Sequence, residues 1–339
     1  MKLTIMDTNC LKGIAILMML THHLFSFPEK VLPPSIVYYL IPGLPIERYF
    51  GLMCKLCVPI FLFLSGYAFY IIGVRNGLYY FKKILSFYKS YWFVFIIFVP
   101  IGFLFFSEIN GSPFKKEDII LNLIGISSSF NKEWWFVEVY VVMVASLPFV
   151  NMLRDKPITL FILSLLILFL GFYWNTSHFR FLKHISNIFI WSQPFFTGYI
   201  VGRFDIYSMI RKIINYKGYR ILFVYTVFLS IFVLLFHFMN YIGLFIVTPF
   251  FIVLSMVVIK KIGKLCELVL VFLGENSMNI WLTHSFLCYY YTQHYIYFPK
   301  LSILVFLNLL FSSLIISLLL NKIKYFFELY ASKFLLNRT

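Results

Sequence analysis

Two residues near the N-terminus, Lys12 and His23, are of types that occur in catalytic sites, and their spacing places them on one face of a helix. They stand eleven positions apart in LKGIAILMMLTHHLF, and eleven helical steps come to about 1100°, within about 20° of three full turns. One helix face therefore carries an ammonium group and, about 16 Å further along, an imidazole. An imidazole can accept a proton at neutral pH, as a general base must. The alternative is structural: Lys12 extends to a lipid phosphate, and His23 makes a buried hydrogen-bonded helix contact.

The segments that carry these side chains are expected to cross a membrane. Of the 339 residues, 61% are hydrophobic and 12% are charged, and the mean hydropathy is +0.88. Soluble domains carry roughly 25% charged residues. A chain this apolar needs lipid as its solvent, where runs of roughly 17–25 apolar residues span as helices. The alternating segments of transmembrane β-barrels are absent from the sequence.

Apolar runs separated by polar breaks predict about ten transmembrane helices and an all-α fold. No segment is long and polar enough for a separate soluble domain, so residues 1–339 are predicted to form one membrane-embedded domain. The predicted spans are 11–27, 51–73, 91–106, 134–153, 157–174, 185–202, 219–239, 241–259, 277–291 and 301–320.

Lys and Arg are distributed unequally between the two sides of this arrangement. Twenty of the 29 fall on the side of the N-terminus and nine on the other. Because cytoplasmic loops are enriched in Lys and Arg, both termini are predicted to be cytoplasmic, with residues 322–339 as a short tail. The longest outer loop, about residues 107–133, is predicted to be solvated and to contain a short interfacial helix at 119–126.

The net charge of +16 and the five cysteines fit the same class of protein. In a membrane protein such a charge reflects loops that face anionic lipid, so no nucleic-acid partner is expected. Cys54 and Cys57 form a C-x-x-C pair, but no second pair stands at zinc spacing. The cysteines are interpreted as apolar packing thiols, and no metal is expected.

Ionisable side chains inside a predicted span are energetically costly and are therefore functional candidates. Any chemistry must lie within the helix bundle or at its mouths, because no soluble domain is expected. The candidates are Lys12, His22, His23, Glu138, His237 and His284.

Six segments, taken in chain order, carry a family resemblance. Their collinear order resembles the membrane-bound acyltransferase-3 family, the OafA-like O-acyltransferases, over nearly the whole chain. The segments are Lys12-Gly13 with His23, the run from Pro59 to Tyr67, Lys82-Lys83 before Tyr91-Trp92, the run from Glu133 to Phe136 with Pro148, the run from Phe195 to Tyr199 with Gly202-Arg203, and the run from Leu273 to Ser277 with Trp281 and His284.

The resemblance implies an enzyme that moves an acyl group, here acetyl, from acyl-CoA to a hydroxyl group. The acceptor it implies is a surface glycan, such as capsule, exopolysaccharide or O-antigen, or a lipid-linked sugar. The protein would then lie among the lipids of the bacterial cytoplasmic (inner) membrane, with acetyl-CoA as its donor and no metal.

For such a reaction, the chemistry and the positions of individual residues suggest their roles. His23 is the expected general base, either directly or through a transient acyl-His intermediate. The ammonium groups of Lys12, Lys82 and Lys83 are expected to hold the phosphates of coenzyme A. Glu138 either orients a histidine, binds the sugar or is a paired structural carboxylate. The remaining predicted site residues are Trp135, which stacks on a sugar or belongs to an aromatic belt, and Ser65, Ser277 and His284, which line the passage. Two of these residues have structural alternatives. Asn276 or Ser277 could instead cap the ninth helix, and His284 could be a hydrogen-bonded core histidine.

The sequence departs from the family pattern at two points. Lys12 stands where many members have Arg, which keeps the charge but loses the bidentate fork. The R-x-x-R of the family is represented only by Lys82, Lys83 and Lys89, and Ser90 stands where many members have Pro. No C-terminal SGNH-type esterase domain is expected.

Two other functions fit a ten-helix membrane protein. A proton-coupled transporter or polysaccharide exporter would use buried His and Glu, but inverted repeats and paired broken helices are not evident. A polysaccharide polymerase would be similar in size and hydrophobicity but would carry a larger outer loop. A non-catalytic scaffold is disfavoured by the collinear polar motifs.

Overall fold

The computed structural model describes residues 2–32, 35, 37–41, 43–106, 108–109, 112–113, 115–204, 224, 227, 231–232 and 240–336. Over these residues the chain is almost entirely helical, which confirms the all-α prediction. One antiparallel pair of two-residue strands, β1 (Glu108–Ile109) and β2 (Ser112–Pro113), lies in the predicted outer loop. The predicted span 219–239, apart from four residues, lies outside the described residues, as does His237.

The helices of the described ranges are numbered in chain order. Short 3-10 turns occur at Pro28–Lys30, Cys54–Leu56, Lys116–Asp118 and Lys132–Trp135, and one π-helical turn occurs at Phe286–Tyr290. The α-helices are α1 (Ile5–Phe25), α2 (Ile46–Met53), α3 (Cys57–Ile72), α4 (Gly77–Phe105), α5 (Ile119–Leu123), α6 (Phe136–Met152), α7 (Pro157–Asn175), α8 (Arg180–Arg203), α9 (Tyr241–Ile262), α10 (Lys264–Glu275), α11 (Ser277–Ser285), α12 (Gln293–Tyr297) and α13 (Ser302–Leu336).

Six segments of the described ranges are long and apolar enough to cross a membrane. A seventh is added when the pair Lys264–Glu275 and Ser277–Tyr290 is counted as one span. The number ten is therefore not confirmed, and the cytoplasmic termini stay a prediction. Many large apolar side chains are exposed, as lipid contact requires, for example Phe149 and Ile158 at 74% each. The six segments are Ile46–Ile72, Gly77–Phe105, Lys132–Met152, Pro157–Asn175, Tyr241–Ile259 and Ser302–Phe327.

Two helices extend well beyond the predicted spans. Helix α4 begins at Gly77, and α13 continues to Leu336. Both extensions are rich in Lys, which is a good helix former. A hydropathy pattern shows where the apolar part of a helix ends. The helix itself continues beyond that point for as long as the residues favour helical backbone hydrogen bonds.

The chain divides into two compact units. The first unit contains Met1–Met18, Met53–Phe87 and Trp135–Gly274. The second unit contains Met19–Leu52, Tyr88–Trp134 and Glu275–Thr339.

Glycines allow close helix packing in the first unit, where α3 packs against α8 and α8 against α7. A Cβ atom added at Gly66 would overlap the backbone oxygen of Phe195, and one at Gly198 would overlap the backbone oxygen of Phe63. Small residues let helix backbones approach closely inside a membrane. The two motifs that contain these glycines therefore pack on each other, which gives them a structural role.

In the second unit, the segment that precedes α6 is fixed to α11. The indole nitrogen of Trp134, which is 1% exposed, donates a 3.1 Å hydrogen bond to the backbone oxygen of Leu282. The backbone N–H of Lys132 donates to the hydroxyl of Tyr290 at 3.1 Å. These bonds hold the residues around Glu133 against the C-terminal part of the unit.

Candidate functional site

His23 lies near the C-terminal end of α1, within the second unit, and is 9% exposed. Its Nδ1 atom is 3.3 Å from the hydroxyl oxygen of Tyr289, and the same hydroxyl donates a short hydrogen bond to the backbone oxygen of His23. Tyr289 belongs to the π-helical turn Phe286–Tyr290. Such turns often occur at functional sites, and this one carries the hydroxyl group that contacts the imidazole.

The two bonds to Tyr289 define which nitrogen of His23 carries the proton. The single hydroxyl hydrogen of Tyr289 is donated to a carbonyl oxygen, so the hydroxyl oxygen must accept from Nδ1. Nδ1 is then the protonated nitrogen of the neutral ring, and Nε2 keeps a free lone pair. A lone pair on Nε2 is what a general base or a nucleophile needs.

A carboxylate and an ammonium group lie beside that lone pair. Oε2 of Glu133 is 3.7 Å from Nε2 of His23, and Oε1 of Glu133 is 3.3 Å from Nζ of Lys30. The Glu133 side chain is 11% exposed. The ammonium group of Lys30 also lies 4.4 Å from the ring centre of Tyr289. Glu133 therefore already has a cation as partner, and a proton added to His23 would give it a second one.

Asn131 connects Glu133 to the C-terminal part of the second unit. Its Oδ1 accepts the backbone N–H of Glu133 at 3.0 Å, and its Nδ2 donates to Oγ of Ser285 at 2.7 Å. Asn131 is fully buried. Because a buried amide and its partners keep one arrangement, Asn131 positions Glu133.

His284 is a second buried imidazole in the same unit, with a ring centre 4.8 Å from that of His23. Its Nδ1 lies 2.8 Å from the backbone oxygen of Trp281 and 3.2 Å from that of Ile280. Carbonyl oxygens only accept, so Nδ1 carries the proton and Nε2 has a lone pair. This Nε2 atom is buried and has no hydrogen-bond partner among the described residues.

Other predicted site residues lie in the first unit. Oε1 of Glu138 is 2.8 Å from Nε2 of His184. The ring of Trp135 packs on that of Trp191, with centres 5.1 Å apart. The hydroxyl of Ser65 donates to the backbone oxygen of Phe61 at 2.8 Å. Glu138 thus has a histidine partner in its own unit, and Glu133 is the carboxylate beside His23.

The three lysines predicted to bind the donor also belong to the first unit. Lys12 is half-buried on α1, and Lys82 and Lys83 are exposed on α4. Nζ of Lys83 lies 5.5 Å from the ring centre of Tyr79. The ammonium groups of Lys82 and Lys83 remain open to solvent and can hold phosphates.

Ser277, in the second unit, is buried at the start of α11. Asn276 occupies the cap position but makes no side-chain cap hydrogen bond. Its Oδ1 accepts from Ser317 at 2.9 Å and from Asn321 at 3.1 Å. Asn276 therefore ties α11 to α13 instead of capping the helix.

Glu133 was not predicted as a site residue from the sequence, and neither were its neighbours Lys30, Tyr289 and Asn131. Glu133 stands in a matched motif, so the motif itself was a signal. Lys30, Tyr289 and Asn131 lie outside the matched motifs, and their spacing from His23 forms no periodic pattern.

Comparisons with known proteins agree with the resemblance. A family model described as an acyltransferase domain, acyltransferase-3, matches residues 7–322, which is nearly the whole chain. Neither the curated proteins nor the solved structures include a match to the chain.

Proposed function

The chain belongs to the acyltransferase-3 family, and from this premise we propose that it is a membrane-bound O-acyltransferase. It moves an acetyl group from acetyl-CoA to a hydroxyl group of a cell-surface polysaccharide or lipid-linked sugar. The observation that supports this most is the buried cluster of His23, Glu133 and His284, with a free lone pair on both imidazoles. A sugar hydroxyl is a poor nucleophile until a base removes its proton, and the cluster offers that base.

The proposed reaction begins with the hydroxyl oxygen of the acceptor. This oxygen attacks the thioester carbonyl carbon while its proton moves to Nε2 of His23. The C–S bond then breaks, and the coenzyme A thiolate takes the proton from the imidazolium, which restores the neutral ring. The alternative route has Nε2 itself attack the thioester, so that an acyl-His23 intermediate forms before the acceptor attacks. Both routes use the same lone pair, and trapping of acyl-enzyme without acceptor separates them.

Glu133 is proposed to stabilise the charge that forms on His23. When Nε2 gains a proton, the ring becomes a cation 3.7 Å from a carboxylate in a buried site. A carboxylate already held in place stabilises a nearby cation more strongly in a buried site than it does in water. Lys30 balances the carboxylate in the resting state, so the site is not left with an unpaired buried anion.

His284 is proposed to bind the acceptor. Its Nε2 lone pair accepts a hydrogen bond, and sugars carry several hydroxyl donors. Orphaned buried acceptors are rare and call for an explanation, and a bound hydroxyl supplies one. Ser277 lies on the same helix and is proposed to face the same substrate. Trp135 and Ser65, in the first unit, are proposed as substrate-binding or passage-lining residues.

The donor is proposed to bind through its phosphates to Lys12, Lys82 and Lys83. The enclosing membrane is proposed to be the bacterial inner membrane, where cytosolic acetyl-CoA reaches one side and an outward-facing glycan the other. Capsule, exopolysaccharide and O-antigen are the acceptor classes that suit this arrangement.

Membrane vesicles from the native host test the proposal. They contain the chain and its own acceptor, and they are supplied with radiolabelled acetyl-CoA. We expect label in the glycan or lipid-linked sugar fraction, and none in vesicles from cells that lack the gene. Equal labelling of both preparations would contradict the proposed activity.

A further inference from the structure

A cavity of about 170 Å³ lies in the second unit, and neither His23 nor His284 is among its lining residues. Helices α4, α11 and α13 and the end of α10 line it. Its lining includes Phe93, Glu275, Asn279, Leu320, Asn321 and Lys324.

The cavity lies at one edge of the predicted membrane region. Glu275 comes just before the predicted span 277–291, and Lys324 comes just after the span 301–320. Phe93 is close to the start of the span 91–106. All three span ends belong to the side that the distribution of Lys and Arg predicts to be cytoplasmic. A ligand of this cavity would therefore sit at the level of lipid headgroups.

Two opposite charges line the cavity without pairing with each other. Glu275 supplies a carboxylate and Lys324 an ammonium group. In the part of the chain that the structure describes, no ion pair joins them, whereas a closer pair such as Lys30 and Glu133 does form. A ligand that carries both a cationic and an anionic group could form an ion pair with each of these side chains.

Asn279 and Asn321 line the same cavity and provide a further hydrogen-bond acceptor. Nδ2 of Asn279 donates to Oδ1 of Asn321 at 2.8 Å, and Nδ2 of Asn321 donates to Oδ1 of Asn276 at 3.1 Å. This chain of amides fixes their orientation. Oδ1 of Asn279 can then accept a hydrogen bond from a ligand that has N–H groups, whereas its backbone oxygen accepts from Thr283.

We propose that this cavity binds the headgroup of a phospholipid with a primary ammonium group, of the phosphatidylethanolamine class. The phosphate contacts Lys324, and the ammonium donates to Glu275 and Asn279. A quaternary ammonium has no N–H to donate, so phosphatidylcholine binds less well.

A lipid suits the site better than free phosphoethanolamine. Phe93 and Leu320 give the cavity apolar walls, and the neighbouring Leu319 and Ile323 are exposed at 53% and 41%. An acyl chain can continue along that apolar surface, where a soluble ligand gains nothing.

Native mass spectrometry of the purified full chain tests the proposal. The protein is released from detergent in equimolar palmitoyl-oleoyl phosphatidylethanolamine, phosphatidylcholine and phosphatidylglycerol. We expect one molecule of phosphatidylethanolamine to be retained in preference to the other two. Glu275→Gln and Lys324→Gln should each weaken that retention about tenfold, because each removes a charged hydrogen-bond partner.

The matched control is Lys322→Gln, on the same helix and exposed, which should bind like the wild type. Thermal unfolding of each variant checks that the fold is intact. Retention of the three lipids without preference, or unchanged retention by both folded cavity variants, would overturn the proposal. Displacement of the lipid by an equal concentration of O-phosphoethanolamine would overturn the assignment to a lipid, and displacement by 3′,5′-ADP would assign the cavity to a nucleotide instead.

Discussion

Oε2 of Glu133 lies 3.7 Å from Nε2 of His23, the ring nitrogen that carries the free lone pair. This distance is too long for a good hydrogen bond in the resting state. The carboxylate and the imidazole form an ion pair when the imidazole takes up a proton. The relationship thus favours the charged form of His23 that the proposed reaction passes through.

Glu133→Gln should slow acetyl transfer strongly. The variant keeps the shape of the side chain but removes the negative charge that faces the imidazolium, and bonds to charged groups contribute about 1.5–3 kcal/mol. We expect kcat to fall about 10–100-fold with little change in the KM for acetyl-CoA, measured by transfer of radiolabel in membrane vesicles. The exposed Glu29, changed to Gln, is the matched control. A normal kcat in Glu133→Gln would remove Glu133 from the mechanism.

His284→Ala should affect acceptor binding more than the chemical step. The substitution removes the buried Nε2 acceptor, so a sugar hydroxyl loses one hydrogen bond. We expect the KM for the glycan acceptor to rise about tenfold, with a smaller change in kcat, in titrations of purified acceptor. The exposed His294, changed to Ala, serves as control. A large fall in kcat at unchanged KM would instead make His284 a second base.

Much of the fold and part of the site could be predicted from the sequence. The pattern of apolar runs predicted α6, α7 and α9 to within a few residues. The predicted span 51–73 ends with α3, but its start includes the last residues of α2 and the 3-10 turn at Cys54–Leu56. The pattern works because lipid demands a continuous apolar stretch with its backbone bonds satisfied internally. It misplaced the start of α4, because a helix does not have to end where the membrane does.

The partners of His23 could not be predicted in the same way. Tyr289 and Glu133 are 266 and 110 positions away along the chain, and no periodicity connects such distant residues. Glu138 stood out because it lies deep in a predicted span, yet its carboxylate contacts His184. Burial of a residue type can be inferred from sequence, whereas its partner depends on how the helices pack.

Gly66→Ala and Gly198→Ala should each destabilise the protein. The added Cβ would overlap a backbone oxygen of the facing helix, and a backbone cannot move aside as a side chain can. We expect each variant to lower the free energy of unfolding by about 1–3 kcal/mol or more, seen as a lower melting temperature in detergent. Gly77→Ala, where nothing lies within 4 Å of the added atom, should melt like the wild type. Unchanged melting of Gly66→Ala would contradict the close packing of α3 on α8.

Lys12→Ala should weaken donor binding. An ammonium group that holds a phosphate contributes a charged hydrogen bond, so its loss should raise the Kd for coenzyme A about tenfold. Calorimetric titration of the purified protein measures this directly, and Lys12→Arg should restore most of the affinity because the charge is kept. Lys2→Ala, which removes an exposed charge near the same end of α1, is the control. An unchanged Kd in Lys12→Ala would exclude Lys12 from the donor site.

The decisive substitution is His23→Ala, and its effect is measured as the O-acetyl content of the surface glycan in the native host. Loss of the imidazole removes the proposed base, which typically contributes 10²–10⁴-fold. We therefore expect O-acetyl groups to fall to the level of cells that lack the gene, with the protein still present in the membrane at its normal amount. Normal acetylation by a normally abundant His23→Ala protein would show that His23 is not the catalytic base.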